Sequence, residues 1–292
     1  MNLTSARELK NLLDQYGFSF SKSLGQNFLI DQNIVDKIVD QGQIQGENIL
    51  EIGPGIGTLT YSMAQKAKKV LAIEVDESLR EILAYTLGEF SNVKVHFADV
   101  LKTNLEEVTR EYFGDEPFKV VANLPYYITS PILIYLLKSQ ANISEIIVMM
   151  QKEVAQRIVA DKTKKEYGSI SVFISYFGPA GILMNVPKTV FMPQPKVDSA
   201  VVKIKIAREE RPITIEDLER VLRAAFGQRR KTILNSLSKG LDLEKSFVEG
   251  VLKDLDLPTT YRAENLSLDD YLLLGEKLLD HGGKNVWPRS SI

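Results

Sequence analysis

Between Asn48 and Met150, short apolar runs alternate with longer segments whose apolar positions recur every three or four residues. NILEI, KKVLAIE, VKVHFA, FKVVA and ISEIIVMM read as buried strands. GTLTYSMAQKA, DESLREILAYTLGEF, LEEVTREYF and SPILIYLLKSQ carry helical spacing. Such alternation predicts an α/β fold, a parallel sheet covered by helices on both faces. Open sheets of this kind bind ligands beyond the carboxyl ends of their strands. Chemistry is therefore expected in the residues that follow each strand.

The pattern changes after Gln151. QKEVAQRIVAD is helical, and AGILMNV and SAVVKIKI read as strands around the Pro-rich stretch VFMPQPKVDS. AREERPIT, charged and Pro-containing, marks a boundary near Arg208. Beyond it only helical patterns remain: IEDLERVLRAAFGQ, RKTILNSLSKG, SFVEGVLKDL and SLDDYLLLGEKLLDHG. The expected organisation is an α/β domain over 1–207 and a smaller α-helical domain over 208–292. MNLTSARELKNLLDQYG reads as a surface helix, and the tail GKNVWPRSSI has no periodicity.

Composition narrows the function classes. The 292 residues are 44% hydrophobic and include no cysteine, which excludes disulfides and thiolate metal sites. The start of the chain lacks the apolar core of a signal peptide. No run approaches the roughly 20 apolar residues a membrane span needs. A cytoplasmic protein without a membrane segment is expected. The net charge of −2 argues mildly against nucleic acid, but its distribution argues the other way. Glu219 to Lys239 holds six basic residues and one acidic, whereas Gly240 to the end holds ten acidic and six basic. A local basic segment is what meets phosphate.

The first strand ends in EIGPGIGTLT, with Gly53, Gly55 and Gly57 spaced G-x-G-x-G. Glycine there allows a tight turn and close approach of a ligand. The spacing departs from the dinucleotide fingerprint, because position 58 is Thr. An ordinary strand–helix turn would also use these glycines. The second strand ends in Glu74, 21 residues after Gly53, where a carboxylate can accept both ribose hydroxyls of a nucleoside. The third ends in FADVL, and Asp99 could accept from an adenine amino group or merely close a turn. Together these strand ends describe a site for an adenosine-containing ligand, S-adenosylmethionine or NAD.

The fourth strand end separates the two. FKVVANLPYY leaves the strand through Asn123, Leu124, Pro125 and Tyr126. A nicotinamide enzyme has no use for that cluster; an enzyme that methylates an exocyclic amine does. The Asn123 side-chain oxygen can accept one amino proton. The Leu124 carbonyl, its direction fixed by Pro125, can take the other. Tyr126 can stack on the base, and this needs its ring more than its hydroxyl. Tyr127 is expected to pack inward. No general base stands out: His96 lies inside a strand and His281 near the tail. An amine attacking a sulfonium releases its proton after bond formation, so strong base assistance is not required. No metal site is expected.

LGQNFLID, EIGPGIGTLT, ANLPYYITSPI, MQKEVAQRI, YGSISV and VFMPQPKVDSAVVKI, with FGQRRKTILNSL in the helical region, resemble the motifs of the ribosomal RNA adenine dimethyltransferase family. The resemblance implies a Rossmann-like S-adenosylmethionine-dependent methyltransferase domain followed by a helical RNA- and ribosome-binding domain. It implies S-adenosylmethionine as cofactor and, as partner, the 16S rRNA of the small ribosomal subunit or its precursor. Two adjacent adenosines near the 3′ end would be dimethylated by a monomeric enzyme. It further implies that Gln26, Asn27 and Leu29 lie at the methyl donor, and that Phe191 closes the second face of the target adenine opposite Tyr126. Arg229, Arg230 and Lys231, with Arg223 six residues earlier, would reach phosphates; a solvated helix face is the plainer reading of the same charges. Two other readings compete within the family: a large-subunit rRNA adenine methyltransferase of the antibiotic-resistance type, and a non-catalytic RNA-binding assembly factor. A dinucleotide oxidoreductase is disfavoured by the glycine spacing and by Asn123.

Overall fold

The computed structural model describes residues 2–21, 24–228 and 230–281. The expectations for Arg229 and for the tail from Gly283 lie outside them.

Among the described residues the apolar runs form nine strands: β1 (Phe28–Leu29), β2 (Asn48–Ile52), β3 (Lys69–Glu74), β4 (Val93–Phe97), β5 (Phe118–Asn123), β6 (Ile143–Gln151), β7 (Ala180–Val186), β8 (Phe191–Met192) and β9 (Ser199–Lys205). Seven make one sheet in the order β4-β3-β2-β5-β6-β9-β7. The first five in that order run parallel, and β9 and β7 add an antiparallel edge. The order grows outward from β2 to β4 and then restarts at β5, on the other side of β2. This Rossmann-like reversal opens a crevice above the carboxyl ends of β2 and β5. A separate two-stranded sheet pairs β1 with β8, Leu29 opposite Phe191.

Helices over Thr58–Ala64, Arg80–Leu87, Leu105–Phe113 and Thr129–Lys138 follow β2, β3, β4 and β5. Two elements at the start of the chain matter for the site. The helix Ala6–Gln15 buries Leu9, Leu12 and Leu13 against Phe28, Ile56 and Leu79, so it is more than a surface helix. A second helix, Gln32–Gln41, is capped by Asp31, whose carboxylate accepts from Ile34 N at 3.2 Å. Its buried Val35, Ile38 and Val39 hold the helical spacing.

The chain divides into two compact units, 1–156 with 179–207 and 157–178 with 208–292. The second takes in a segment that the sequence pattern had left with the first. The cause lies in the helix Ser169–Phe177, SISVFISYF, which is apolar on nearly every side. Within the second unit the Tyr176 hydroxyl donates to the Ile213 carbonyl at 2.9 Å, and the Tyr167 hydroxyl to that of Leu266 at 2.8 Å. The remaining helices of this unit are Ile215–Phe226, Ile233–Gly240, Lys245–Asp254 and Leu268–His281.

Candidate active site

The cavity and the residues that line it lie in the sheet-bearing unit. A cavity of about 290 Å³ opens at the carboxyl ends of β2, β3 and β5. Its wall includes Gly53 and Gly55 after β2, Glu74 and Val75 at β3, Asp99 after β4, and Asn123 to Ile128 after β5. The segment Leu24–Leu29 adds a further part of the wall.

The glycine loop is held by packing and by charge. Gly55 has φ +60°, and a Cβ there would come within 2.8 Å of the Phe28 ring. Its N–H donates to Glu74 Oε2 at 3.1 Å. Glu74 Oε1 accepts from the Asp76 N–H at 2.9 Å. Each oxygen can still accept a second hydrogen bond, and the residue lines the cavity. Burial lifts this carboxyl above its ordinary range, against the lowering effect of those two N–H groups.

Beneath it sits a group that the strand pattern concealed. Glu51 occupies the fourth position of the fully buried β2 and also lines the cavity. Burial pushes its carboxyl up to about 8, the Thr60 hydroxyl opposing and the Glu74 charge reinforcing the shift. Glu51 Oε2 and the hydroxyls of Thr58 and Thr60 make no well-formed hydrogen bond to the protein. A carboxyl flanked by apolar residues in a buried five-residue strand, immediately before a glycine loop, is the sequence signal that identifies it.

Asn123 ends β5, and its Nδ2 donates to the Asn27 backbone carbonyl at 3.0 Å. A carbonyl partner requires the amide nitrogen on that side, which fixes the flip of the side chain. Oδ1 is thereby left to accept. Leu124 N–H donates to the Met149 carbonyl at 3.3 Å, tying the turn to β6. The Pro125 carbonyl accepts from Ile128 N at 3.2 Å and from Thr129 Oγ1 at 2.9 Å. These bonds close the turn that carries Tyr126. The Tyr126 ring is half-buried, and its hydroxyl shares a 2.7 Å hydrogen bond with the fully buried Ser199 Oγ. Burial raises this phenol above its ordinary value, which keeps it protonated near neutral pH.

The segment that resembles a donor-binding motif is clasped from several sides. Gln26 Nε2 donates to Asp76 Oδ2 at 2.6 Å, and Gln26 Oε1 accepts from Ser21 N at 2.9 Å. Asn27 Nδ2 donates to the Gly25 carbonyl at 2.9 Å. Leu29 lines the cavity from β1. Asp99 lines it too, but its Oδ1 accepts from Leu101 N at 3.0 Å and its Oδ2 lies 3.4 Å from Lys102 Nζ. The turn-closing role is therefore present, whatever else Asp99 does.

Two expectations fail on geometry. Phe191 is 3% exposed and packs in the core cluster with Leu29, Val35, Ile49 and Val121, away from the cavity wall. Its pairing in β8 with Leu29 turns the ring inward, so it does not face Tyr126 across a base here. Tyr127, expected inside, is 59% exposed and stands at the cavity rim. Of the basic cluster, Arg223, Arg230 and Lys231 are exposed on the helical unit. Among the described residues no group of three or more metal-ligating side chains comes together, and no helix is long and apolar enough to cross a membrane.

The family model for ribosomal RNA adenine dimethylase matches residues 17–278. The chain is 46% identical to the ribosomal RNA small subunit methyltransferase A of Bacillus licheniformis, over 92% of this chain and 94% of that one. Among solved structures it resembles a dimethyladenosine transferase from Plasmodium falciparum, with TM-score 0.72 and 27% identity over 85% of this chain and 95% of that one. It also resembles the 23S rRNA methyltransferase ErmE, with TM-score 0.67 and 25% identity over 86% and 99%. A Rossmann-like sheet, an adenosine-sized crevice at its switch point and an Asn-Leu-Pro-Tyr turn at the fourth parallel strand thus coincide with a family match along most of the chain, and the protein belongs to the ribosomal RNA adenine dimethylases.

Proposed function

We infer that this protein methylates the exocyclic N6 of two adjacent adenosines near the 3′ end of 16S rRNA, in the small subunit or its precursor, with S-adenosylmethionine as donor. The observation that carries the reading is the orientation of Asn123. Its amide nitrogen is engaged by the Asn27 carbonyl, so its oxygen is the end available to an amine.

The cavity suits the donor. Glu74 offers carboxylate oxygens where ribose hydroxyls would lie, and the glycine loop leaves room at Gly53, where an added Cβ would meet nothing within 4 Å. Glu51, neutral while it keeps its proton, lines the cavity beside Glu74, and the Glu74 carboxylate complements a cationic ligand. S-adenosylmethionine supplies an electrophilic methyl on a sulfonium. The protein's part is to position the amine. Asn123 Oδ1 and the Leu124 carbonyl take its two protons and turn its lone pair toward the donor, while Tyr126 supports the base. Tyr126 is held from behind by Ser199, so the phenol contributes placement rather than proton transfer. Arg223, Arg230 and Lys231, with Arg229, would meet rRNA phosphates from the helical unit. Replacing Arg230 and Lys231 by Ala should then flatten the salt dependence of particle binding while methyl-donor affinity survives. The enzyme would act as a monomer in the cytoplasm, where its substrate is assembled.

The test is transfer of labelled methyl groups to small subunits that lack the modification, followed by mapping of the modified bases. Two dimethylated neighbours near the 3′ end are expected. Labelling of large subunits instead would favour the resistance-type activity, and tight particle binding without transfer would favour an assembly factor.

A further inference from the structure

Tyr127 is the residue of the NLPYY turn that the function just described leaves unused. It is 59% exposed, one of the few large hydrophobic side chains so open among the described residues, and it nevertheless lines the cavity. An aromatic ring with both properties stands at the mouth. Its position is set by close packing. A Cβ built on Gly25 would lie 3.1 Å from Tyr127 Cδ1 and 3.3 Å from Cε1. The ring therefore lies against the Gly25 backbone, and Gly25 itself has φ +59°, which disfavours any larger residue there. The neighbouring Asn27 Nδ2 donates to the Gly25 carbonyl, and Asn27 in turn holds Asn123. One short chain of contacts links the rim ring to the residue that faces the amine.

We propose that Tyr127 is a stacking platform for the nucleobase adjacent to the target adenosine. The proposal rests on the adenine-methylating reading above. A base that reaches Asn123 must be drawn out of its stack, and the phosphodiester chain then carries its neighbour to the mouth of the cavity. An exposed aromatic face there offers that neighbour a replacement stacking partner, and it does so for any base, because every base has a π-face. The packed Gly25 contact means the ring is already in place before RNA arrives, so little ordering cost falls on binding. In a substrate with two adjacent targets, the platform would hold the second adenosine while the first is modified.

The probe is a short single-stranded RNA carrying one adenosine next to 2-aminopurine, whose fluorescence is quenched by stacking. Wild-type protein should quench it on binding. Tyr127→Ala should leave it bright and raise the KM for unmodified small subunits about 5- to 100-fold, the ratio that corresponds to one base stacked on an aromatic ring. Its kcat should change far less, and its methyl-donor affinity and thermal midpoint should match the wild type, since the side chain is exposed. Tyr127→Phe should behave as wild type. Equal quenching by wild type and Tyr127→Ala would overturn the platform while leaving adenine methylation intact. Unaltered RNA quenching combined with a raised KM for subunits would instead mark Tyr127 as a contact to ribosomal protein, and would also overturn it. Failure of the wild type to methylate small subunits would remove the underlying reading together with the platform.

Discussion

Lys119 and Asn123 stand at opposite ends of the same strand, β5, and their surroundings differ in kind. At the amino end, the buried Lys119 ammonium donates to the Gly42 and Gln43 carbonyls at 3.2 and 2.9 Å and lies 3.3 Å from Glu145 Oε2. Glu145 also pairs with Lys203 at 2.9 Å. Two of its protons go to backbone carbonyls, and its charge is met by the Glu145 and Glu47 carboxylates. At the carboxyl end the buried polar groups retain capacity. Asn123 has its oxygen to spare, Glu74 has lone pairs facing its cavity, and Glu51 Oε2 has no well-formed hydrogen bond to the protein. A buried charge with its partners supplied by the fold is a structural device. Buried polar groups left partly unmet around a cavity are arranged for a ligand, because leaving them so carries a cost that only a bound molecule removes.

That contrast can be broken in several ways. The largest effect is expected with pH. A carboxyl raised from 4.5 to about 8 in the folded state keeps its proton where the unfolded chain has lost it. Folding stability should therefore fall as pH rises from about 4.5 to about 8. Each unit of displacement corresponds to about 1.4 kcal/mol, so the loss across the window is of the order of several kcal/mol. Urea unfolding of wild type and Glu51→Gln across this range checks it, and the variant's profile should be much flatter. Next comes Lys119→Met, which takes the donor from the Gly42 and Gln43 carbonyls and leaves the Glu145 carboxylate with Lys203 alone, and should cost about 3–5 kcal/mol in unfolding free energy. Methyl-donor affinity per folded molecule should not change, as calorimetry would read. Asn123→Ala should do the reverse. Its stability should fall by only about 1 kcal/mol, for the Asn27 carbonyl left without its donor, while the single-turnover rate falls more than a hundredfold, about 3 kcal/mol of transition-state stabilisation, with RNA affinity carried mainly by phosphate contacts.

The smallest effect sharpens the comparison inside the site. Tyr126→Phe leaves Ser199 Oγ buried without its partner, at about 1–3 kcal/mol, so this change is less mild than a ring-only role implies. Removing both hydroxyls, in Tyr126→Phe with Ser199→Ala, should recover part of that loss. A double-mutant cycle on thermal stability and on transfer rate measures the coupling, and additive effects would mean the hydroxyl pair does not position the ring.

Much of this was legible in the residues themselves. NILEI and AGILMNV match β2 and β7 end to end, and LEEVTREYF matches the helix Leu105–Phe113. These segments have one clear period and a clear boundary. SISVFISYF was harder, because a helix apolar on nearly every side has little period to distinguish it from a strand. The strand-end placement of Gly53, Glu74, Asp99 and Asn123 followed from the alternation alone. Tyr127 and Phe191 exchanged environments relative to expectation for one reason: sequence does not reveal the pairing of β1 with β8. That pairing buries Phe191, and it brings Gly25 beneath Tyr127.

The same pairing bears on how the protein is made. Phe28 sits opposite Met192, 164 residues later, and Asn27 reaches across to Asn123. A chain emerging from the ribosome exposes its glycine loop and its NLPYY turn well before β8 exists to anchor the segment that closes them. It follows that the cavity is completed late in synthesis, and that a chain released before Met192 would carry every strand-end motif and still lack a finished site.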